Sequence, residues 1–440
     1  MANIALISLG CAKNQVNSEE MLHQLDRAGH KTVDLASNAD VAIVNTCGFI
    51  DAATEEAIAH ILELGKIKAA GKLRKIIVTG CLAQRHGREM LVEMPEVDGV
   101  LGTGSYDEIV SAIEQVMNSE RVAIFGDIDA PLVQKARAVE IESGWAYLKI
   151  AEGCDNCCAY CVIPSLRGKF RSRPIEGLIE EAQILAKQGV RELILVAQDT
   201  TRYGEDLYGK RRLADLLCNL AQIPELDWIR IHYLYPDGID DALITAIRDT
   251  DKVLRYLDIP IQHSCDKILQ AMSRRYTGAE ICTLFARLRK ELPGLVLRTS
   301  LIAGLPGEGE GELEELAAFL TSAQIERVGV FPYSPQDGTT AAEMPNRPSW
   351  EEAEQRVERL MQIQARVMEQ FNQRRIGKVD TVLCTGYDTE RAQYYGRSFA
   401  ESPEVDGVIW LNTDRSLSLG QLYTLRYIGE IDGEMIGDIE

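Results

Sequence analysis

Within residues 152–164, EGCDNCCAYCVIP, Cys154, Cys158 and Cys161 stand in a C-x3-C-x2-C spacing. No other feature narrows so sharply what this chain can build. Three thiolates on one short loop bind three irons of a 4Fe–4S cube, and thiolate ligation is what such clusters require. No fourth cysteine stands at that spacing, so the fourth iron stays open to a small ligand. A zinc site is the competing reading, but structural zinc takes four ligands and none stands close by in sequence. Cys157 places an extra thiol inside the loop, yet the x3/x2 spacing works only with Cys158 in the middle.

A second constellation is dispersed along the chain. Cys11, Cys47 and Cys81 each end an apolar run (ISLGC, IVNTC, IVTGC) and lie about 35 residues apart. Asn3–Leu9, Val41–Val44 and Lys75–Val78 read as strands, followed by helical patterns such as Ser18–Ala28 and Ala53–Leu64. That alternation predicts an open parallel-sheet α/β domain, whose strand C-termini line a binding crevice. Three cysteines at such ends converge on one spot, and Gly10, Gly48 and Gly80 beside them permit close backbone approach. The alternative is three buried cysteines acting as small hydrophobes. Cys218, Cys265, Cys282 and Cys384 stand singly and take that second reading, with no functional role.

Residues 131–144 are polar and aperiodic, a linker. Beyond them strands are expected at Ala146–Ile150, Glu192–Val196, Trp228–Tyr233, Tyr256–Ile261, Val296–Ile302 and Arg327–Phe331. Helices such as Ile175–Gln188 and Asp240–Arg248 separate them, which implies a partial or full β/α barrel. The Cys154 loop directly follows the first barrel strand, at the face where barrel active sites sit. A long amphipathic helix over Ser349–Asn372 presents Val357, Leu360, Met361, Val367, Met368 and Phe371 for ordinary packing. Short alternating runs (Val379–Cys384, Gly407–Leu411, Leu422–Tyr427) then suggest a small all-β barrel. The expected domains are 1–133, 134–372 with the connector helix, and 373–440.

Composition bounds the function. The chain has 440 residues, 46% of them hydrophobic, and so can bury a sizeable core. No stretch approaches the roughly 20 apolar residues of a membrane span, and MANIALISLGC lacks a basic leader. A cytoplasmic protein is expected, in which eleven cysteines are better metal ligands than disulfides. The net charge is −20, with −8 in residues 1–133 and −6 in residues 375–440. Such a field repels polyanionic RNA and steers in a basic protein, so direct nucleic-acid binding is not expected. The blander reading is that the acidity only maintains solubility. GLPGEGEG (304–311) lacks the Lys-Ser/Thr of a phosphate loop and is acidic, so it is not one.

The C-x3-C-x2-C spacing, with Tyr160 just before the last cysteine, resembles the radical S-adenosylmethionine superfamily. That resemblance implies that the open iron chelates S-adenosylmethionine and that one electron cleaves it to a 5′-deoxyadenosyl radical. Three strand-end cysteines ahead of such a barrel, with a small β domain behind, resemble the methylthiotransferase family over essentially the whole chain. The likeness implies two 4Fe–4S clusters, one on Cys154, Cys158 and Cys161 and one on Cys11, Cys47 and Cys81, and a C-terminal TRAM domain. It also implies that Tyr160, Arg298, Gly304 and Glu308 serve the S-adenosylmethionine site. Gly304–Glu308 (GLPGE) matches the family's strand-five region, although Gly309 stands where the family usually has Thr, which weakens the cap of the next helix.

Four stretches are similar to the RimO-type branch, which modifies an aspartate of small-subunit ribosomal protein twelve: QDTTRYG (198–204), HYLYP (232–236), DIPIQH (258–263) and RVGVFPYS (327–334). The tRNA-modifying MiaB-type branch tends to have an Asn-rich motif at Asp199–Thr201 and Ser in place of His263. The branch resemblance implies a basic protein substrate, free or in the ribosomal subunit, and an electron donor. Gln198, Asp199, His232, Gln262 and His263 are candidates for lining the substrate site; an ordinary structural hydrogen bond is the alternative for each. The alternative of another class is an iron–sulfur electron carrier or redox sensor, which needs neither an open iron nor a barrel.

Overall fold

Short β-branched runs alternating with amphipathic helices bury both faces of a parallel sheet, and the chain does this twice. The computed structural model describes residues 1–34 and 36–440. Contacts divide the chain into two units, residues 1–139 with 151–173 and 334–342, and residues 140–150 with 174–333 and 343–440.

The first unit holds β1 (Asn3–Ser8), β2 (Lys31–Thr32), β3 (Val41–Thr46), β4 (Lys75–Gly80), β5 (Gly99–Leu101) and β6 (Val122–Ile124). They form one parallel sheet in the order β2-β1-β3-β4-β5-β6. One face is covered by Ala57, Ile61 and Leu64 of the helix Asp51–Ala69. The other is covered by Met21 and Leu25 of Ala12–Arg27 and by Ile109, Ile113 and Val116 of Ile109–Met117. The expected linker carries no helix or strand over 126–144. It is nevertheless pinned by Arg137, 2.6 Å from Glu19, and by a bond from the Ala138 N–H to the Glu19 carbonyl.

In the second unit β7 (Trp145–Lys149) begins a parallel sheet; the short hairpin β8 (Ala151–Glu152) and β9 (Arg171–Ser172) belongs to the first. The sheet continues through β10 (Glu192–Val196), β11 (Trp228–Ile231), β12 (Val253–Asp258), β13 (Val296–Ala303) and β14 (Arg327–Pro332). Its order, β14-β13-β12-β11-β10-β7, runs monotonically with the chain, so each strand returns beside its predecessor through a helix. Six strands leave an open partial barrel. β15 (Val379–Asp388), β16 (Gln393–Arg397), β17 (Ile409–Asn412), β18 (Leu422–Ile431) and β19 (Glu434–Ile439) close into a separate small barrel.

The long helix spans Trp350–Gln373, capped by Ser349, whose hydroxyl accepts from the Glu352 N–H while Glu352 accepts from the Ser349 N–H. Its buried seam is Ala353, Leu360, Gln364 and Val367, spaced by three, four and seven. Met361, expected on that seam, is exposed, because it lies one residue and about 100° beyond Leu360. Gly309 does begin the helix Glu310–Ala323, and the cap is supplied from the other side by Glu312 accepting from the Gly309 N–H at 2.8 Å.

A buried ion cluster ties the small barrel to the sheet of the same unit. Glu401 sits 2.7 Å from Arg327 and 2.5 Å from Arg375, all three nearly inaccessible. Burial alone would raise the Glu401 carboxyl, but Arg375 and Arg327 outweigh it and hold it down to about 2. Glu401→Gln leaves two cations buried without their anion and costs about 3–5 kcal/mol, read as a lower unfolding midpoint. Because the folded carboxyl lies below its unfolded range near about 4.3, Glu401 stabilises the fold above that value. That contribution is lost as pH falls from about 4 towards 2. The variant therefore loses stability at neutral pH and shows a flatter acid limb.

Candidate functional site

Three adjacent parallel strands, β1, β3 and β4, end within a few residues of Cys11, Cys47 and Cys81. Cys11 occupies the cap position of the helix Ala12–Arg27, and Cys81 opens the helix Cys81–His86. Two glycines set their spacing. A Cβ on Gly10 would stand 2.9 Å from the Cys47 Cβ, and Gly10 has φ +114, so only glycine lets the first turn lie against the second. A Cβ on Gly48 would stand 2.8 Å from the Leu82 backbone, directly after Cys81.

The three thiols feel one another and share one cation, Arg167. Burial raises the Cys47 thiol to about 11, reinforced by Cys81 and Cys11. Burial raises Cys81 as well, with Arg167 pulling the other way. At Cys11 burial also opposes the thiolate, but Lys13, Arg167 and the Asn14 and Lys13 N–H groups outweigh it and the thiol is lowered.

The C-x3-C-x2-C loop lies in the same unit. It is closed by the Cys154 N–H donating to the Gly168 carbonyl and the Cys161 N–H donating to the Cys158 carbonyl, each at 3.0 Å. Backbone N–H groups also point at sulfur, Asn156 at Cys154 Sγ (3.5 Å) and Ile163 at Cys161 Sγ (3.4 Å). N–H···S contacts of this kind support cluster thiolates. Cys157 is exposed with φ +52, turned to where a non-glycine residue rarely sits. Val162 and Leu166 pack with Cys81 and Phe49 in one buried apolar group, so the two cysteine sets share a wall.

Both donor sets fit iron–sulfur clusters: three soft thiols each, partly or fully shielded from water. Among the described residues no three His, Cys, Asp or Glu converge tightly enough for a single ion.

Sequence reading missed the side chain that links the two sets. Arg167 ends the helix Ile163–Arg167 and is buried. Its Nε donates to Cys81 Sγ (3.3 Å), Nη1 to Asn17 Oδ1 (3.0 Å) and Glu152 Oε2 (3.2 Å), and Nη2 to Asn14 Oδ1. Asn14 in turn donates to the carbonyls of Leu9 and Thr46, which precede Cys11 and Cys47. The one available signal was a lone arginine in an otherwise apolar stretch, VIPSLRG, after the last loop cysteine. Residues 334–342 return to this unit, where Gln336 donates to Asp51 (3.2 Å) and accepts from Arg85, which also donates to the Gly48 carbonyl (3.2 Å).

The remaining candidates, Tyr160 of the loop apart, belong to the second unit. Glu308 is buried and accepts from the Gly304 N–H with both oxygens (3.0 Å) and from Arg356 (2.8 Å). Burial raises its carboxyl despite these bonds. His263 is fully buried; its Nδ1 accepts from the Cys265 N–H at 3.0 Å, which places the proton on Nε2, 3.7 Å from Glu308. Burial lowers this imidazole to about 4, so it is neutral. Arg298 pairs with Asp258 at 2.7 Å; burial opposes that carboxylate, but Arg298 outweighs it and the group is lowered.

Gln262 bridges towards Leu301 with φ +70. Asp199 follows β10 and accepts from the Thr201 N–H, capping a short turn, with Gln198 beside it. His232 follows β11, with Nε2 2.7 Å from Ser402 Oγ of the small barrel. Asp199, His232, His263 and Arg298 thus each have a structural partner for the side chain. Of the cysteines given no role, Cys265 and Cys384 are buried, but Cys218 and Cys282 are exposed, because they fall on the solvent side of their helices.

Comparison with known proteins covers every part of the chain. Residues 3–102 match the model described as Uncharacterized protein family UPF0004, residues 148–320 the Radical SAM superfamily, and residues 376–439 the TRAM domain. A relative from Desulforamulus reducens, described as "Ribosomal protein uS12 methylthiotransferase RimO", is 43% identical over 100% of both chains. Relatives with the same description from Lachnoclostridium phytofermentans (44%, 99% of this chain and 100% of the relative) and Pelotomaculum thermopropionicum (45%, 99% and 98%) agree. Among solved structures, the radical S-adenosylmethionine methyltransferase TsrM from Kitasatospora setae superposes with a TM-score of 0.55. It shares 14% identity over 76% of this chain and 74% of that one, a likeness of fold.

Proposed function

The chain belongs to the RimO family of ribosomal protein uS12 methylthiotransferases, and we propose that it inserts a methylthio group at the β-carbon of an aspartate in that protein. The observation that carries this reading is the placement of two three-cysteine sets in one compact unit, sharing the wall of buried Val162, Leu166 and Cys81 with Phe49 packed against it. A radical must be made near where sulfur is delivered, and two open-iron clusters side by side supply both. An electron carrier needs neither an open iron nor a barrel.

In this proposal Cys154, Cys158 and Cys161 hold the cluster that binds S-adenosylmethionine, and Cys11, Cys47 and Cys81 hold the cluster that delivers sulfur. Once bound, these groups supply homolysis of S-adenosylmethionine, with one electron from an external donor, and a methylated sulfur for the substrate carbon. The protein's own share is orientation and exclusion of water. The β-hydrogen of an aspartyl residue is not acidic enough for a side-chain base to remove. Of the buried groups among the candidates, His263 is neutral but enclosed, and Asp258 and Glu308 are tied to Arg298 and Arg356.

Tyr160, Arg298, Gly304 and Glu308 are proposed for the S-adenosylmethionine site. Gln198, Asp199, His232, Gln262 and His263 are proposed to line or brace the substrate end. The net charge of −20 favours a basic ribosomal protein, free or in the subunit, over tRNA. No helix among the described residues is long and apolar enough to cross a membrane, and the proposed working place is the cytoplasm.

The test is an anaerobic reaction of the reconstituted enzyme with reductant, sulfide and S-adenosylmethionine. Ribosomal protein uS12, free and in subunits, is offered together with tRNA. Mass spectrometry should find the methylthio gain on an aspartyl peptide; a gain on a tRNA nucleoside alone refutes the assignment of substrate.

A further inference from the structure

We infer that Arg167 is a positioning residue that sets the reduction potential of the cluster on Cys11, Cys47 and Cys81, with Glu152 as its opposing partner. The inference rests on the proposed placement of that cluster. Arg167 belongs by sequence to the other cysteine loop, six residues after Cys161, and its neighbour Gly168 accepts the Cys154 N–H. Its backbone is therefore fixed by one cysteine set while its guanidinium reaches the thiols of the other, with Nε 3.3 Å from Cys81 Sγ.

The fork is committed on every nitrogen. Nη1 holds Asn17 and Glu152, and Nη2 holds Asn14, the residue whose amide also clamps the carbonyls before Cys11 and Cys47. An arginine this buried and this occupied has no reach for a substrate phosphate or carboxylate. What it can act on is the charge of the thiolates.

Adding one electron to a cluster adds one negative charge to a buried site. A positive group and an N–H donor at the ligating sulfur favour the more negative state, and a carboxylate beside them disfavours it. Arg167 thus raises the potential and Glu152 lowers it. Their opposition is the part of the inference a purely structural role does not share. It would let the sulfur-delivering cluster and the radical-generating cluster be tuned apart although they share a wall.

The experiment uses the full-length chain with Cys154, Cys158 and Cys161 replaced by alanine, reconstituted with iron and sulfide so that one cluster remains. Its midpoint potential is titrated with dithionite and followed by electron paramagnetic resonance. Arg167→Gln should shift the midpoint to a more negative value, Arg167→Lys by less, and Glu152→Gln to a more positive value. Iron content and far-ultraviolet circular dichroism report separately on cluster retention and folding.

Unchanged midpoints, or shifts of the same sign for Arg167→Gln and Glu152→Gln, overturn the inference. Loss of the cluster in both Arg167 variants with the fold intact also overturns it, leaving Arg167 a scaffold residue. If the parent with Arg167 intact binds no cluster, the proposed placement fails first and the inference falls with it.

Discussion

Replacing Cys158 with alanine abolishes formation of 5′-deoxyadenosine from S-adenosylmethionine, and methylthiolation with it. The reason lies in how little supports that loop. Three thiols are available, the cluster needs all three, and Cys158 is the middle one, its carbonyl accepting the Cys161 N–H in the turn that aims the third sulfur. Cys157 is adjacent but exposed and turned to φ +52, so it does not stand in. Losing a mere outer partner of a metal site costs roughly 10–100-fold, and losing a ligand exceeds that, so deoxyadenosine should fall at least about 100-fold. Anaerobic chromatography of the small-molecule products makes the measurement. The Cys157→Ala protein, measured beside it, keeps its activity.

Replacing Cys47 with alanine separates the two halves of the reaction. Cys47 lies on the middle strand end of the three, with Gly10 packed against its Cβ and Gly48 against the Leu82 backbone. Removing it takes one of the three thiols from that set and touches nothing in the C-x3-C-x2-C loop. Deoxyadenosine should therefore still form, within about tenfold of the parent given the shared apolar wall, while the methylthio product disappears. Quantifying both products in the same vial gives the ratio directly. A Cys47→Ala protein that still methylthiolates means sulfur is delivered from somewhere else.

Much of this was legible in the primary structure because it depends on local pattern. The strands that carry the cysteines, and Glu192–Val196 and Ile175–Gln188 to the residue, followed from periodicity and turn residues. The placement of Cys11, Cys47 and Cys81 just after three neighbouring strands followed from one topological fact, that parallel strands end on the same side. Very short strands escaped: β5 and β6 run three residues each, too few for alternation to rise above background.

What lay beyond the sequence was long-range polar pairing. Arg167 meets Asn14, Asn17, Cys81 and Glu152 from three separate stretches of chain. Residues 398–406 of the small barrel likewise reach the partial barrel of their own unit. Ser402 lies against His232, Asp406 takes the Tyr256 hydroxyl (2.6 Å), Glu404 takes Tyr147 (2.8 Å), and Arg230 donates to the Phe399 and Ser398 carbonyls. No periodicity encodes such contacts; they follow only once the strands are in place.

One chain should hold two separate clusters on two sets of three cysteines. Mössbauer spectroscopy on the anaerobically reconstituted full-length protein, with iron and sulfide counted per chain, tests it most directly. The parent should carry two 4Fe–4S clusters and each triple variant one, with Cys11, Cys47 and Cys81 or Cys154, Cys158 and Cys161 replaced by alanine. A parent with a single cluster, lost entirely in the second triple variant and unaffected in the first, would contradict it.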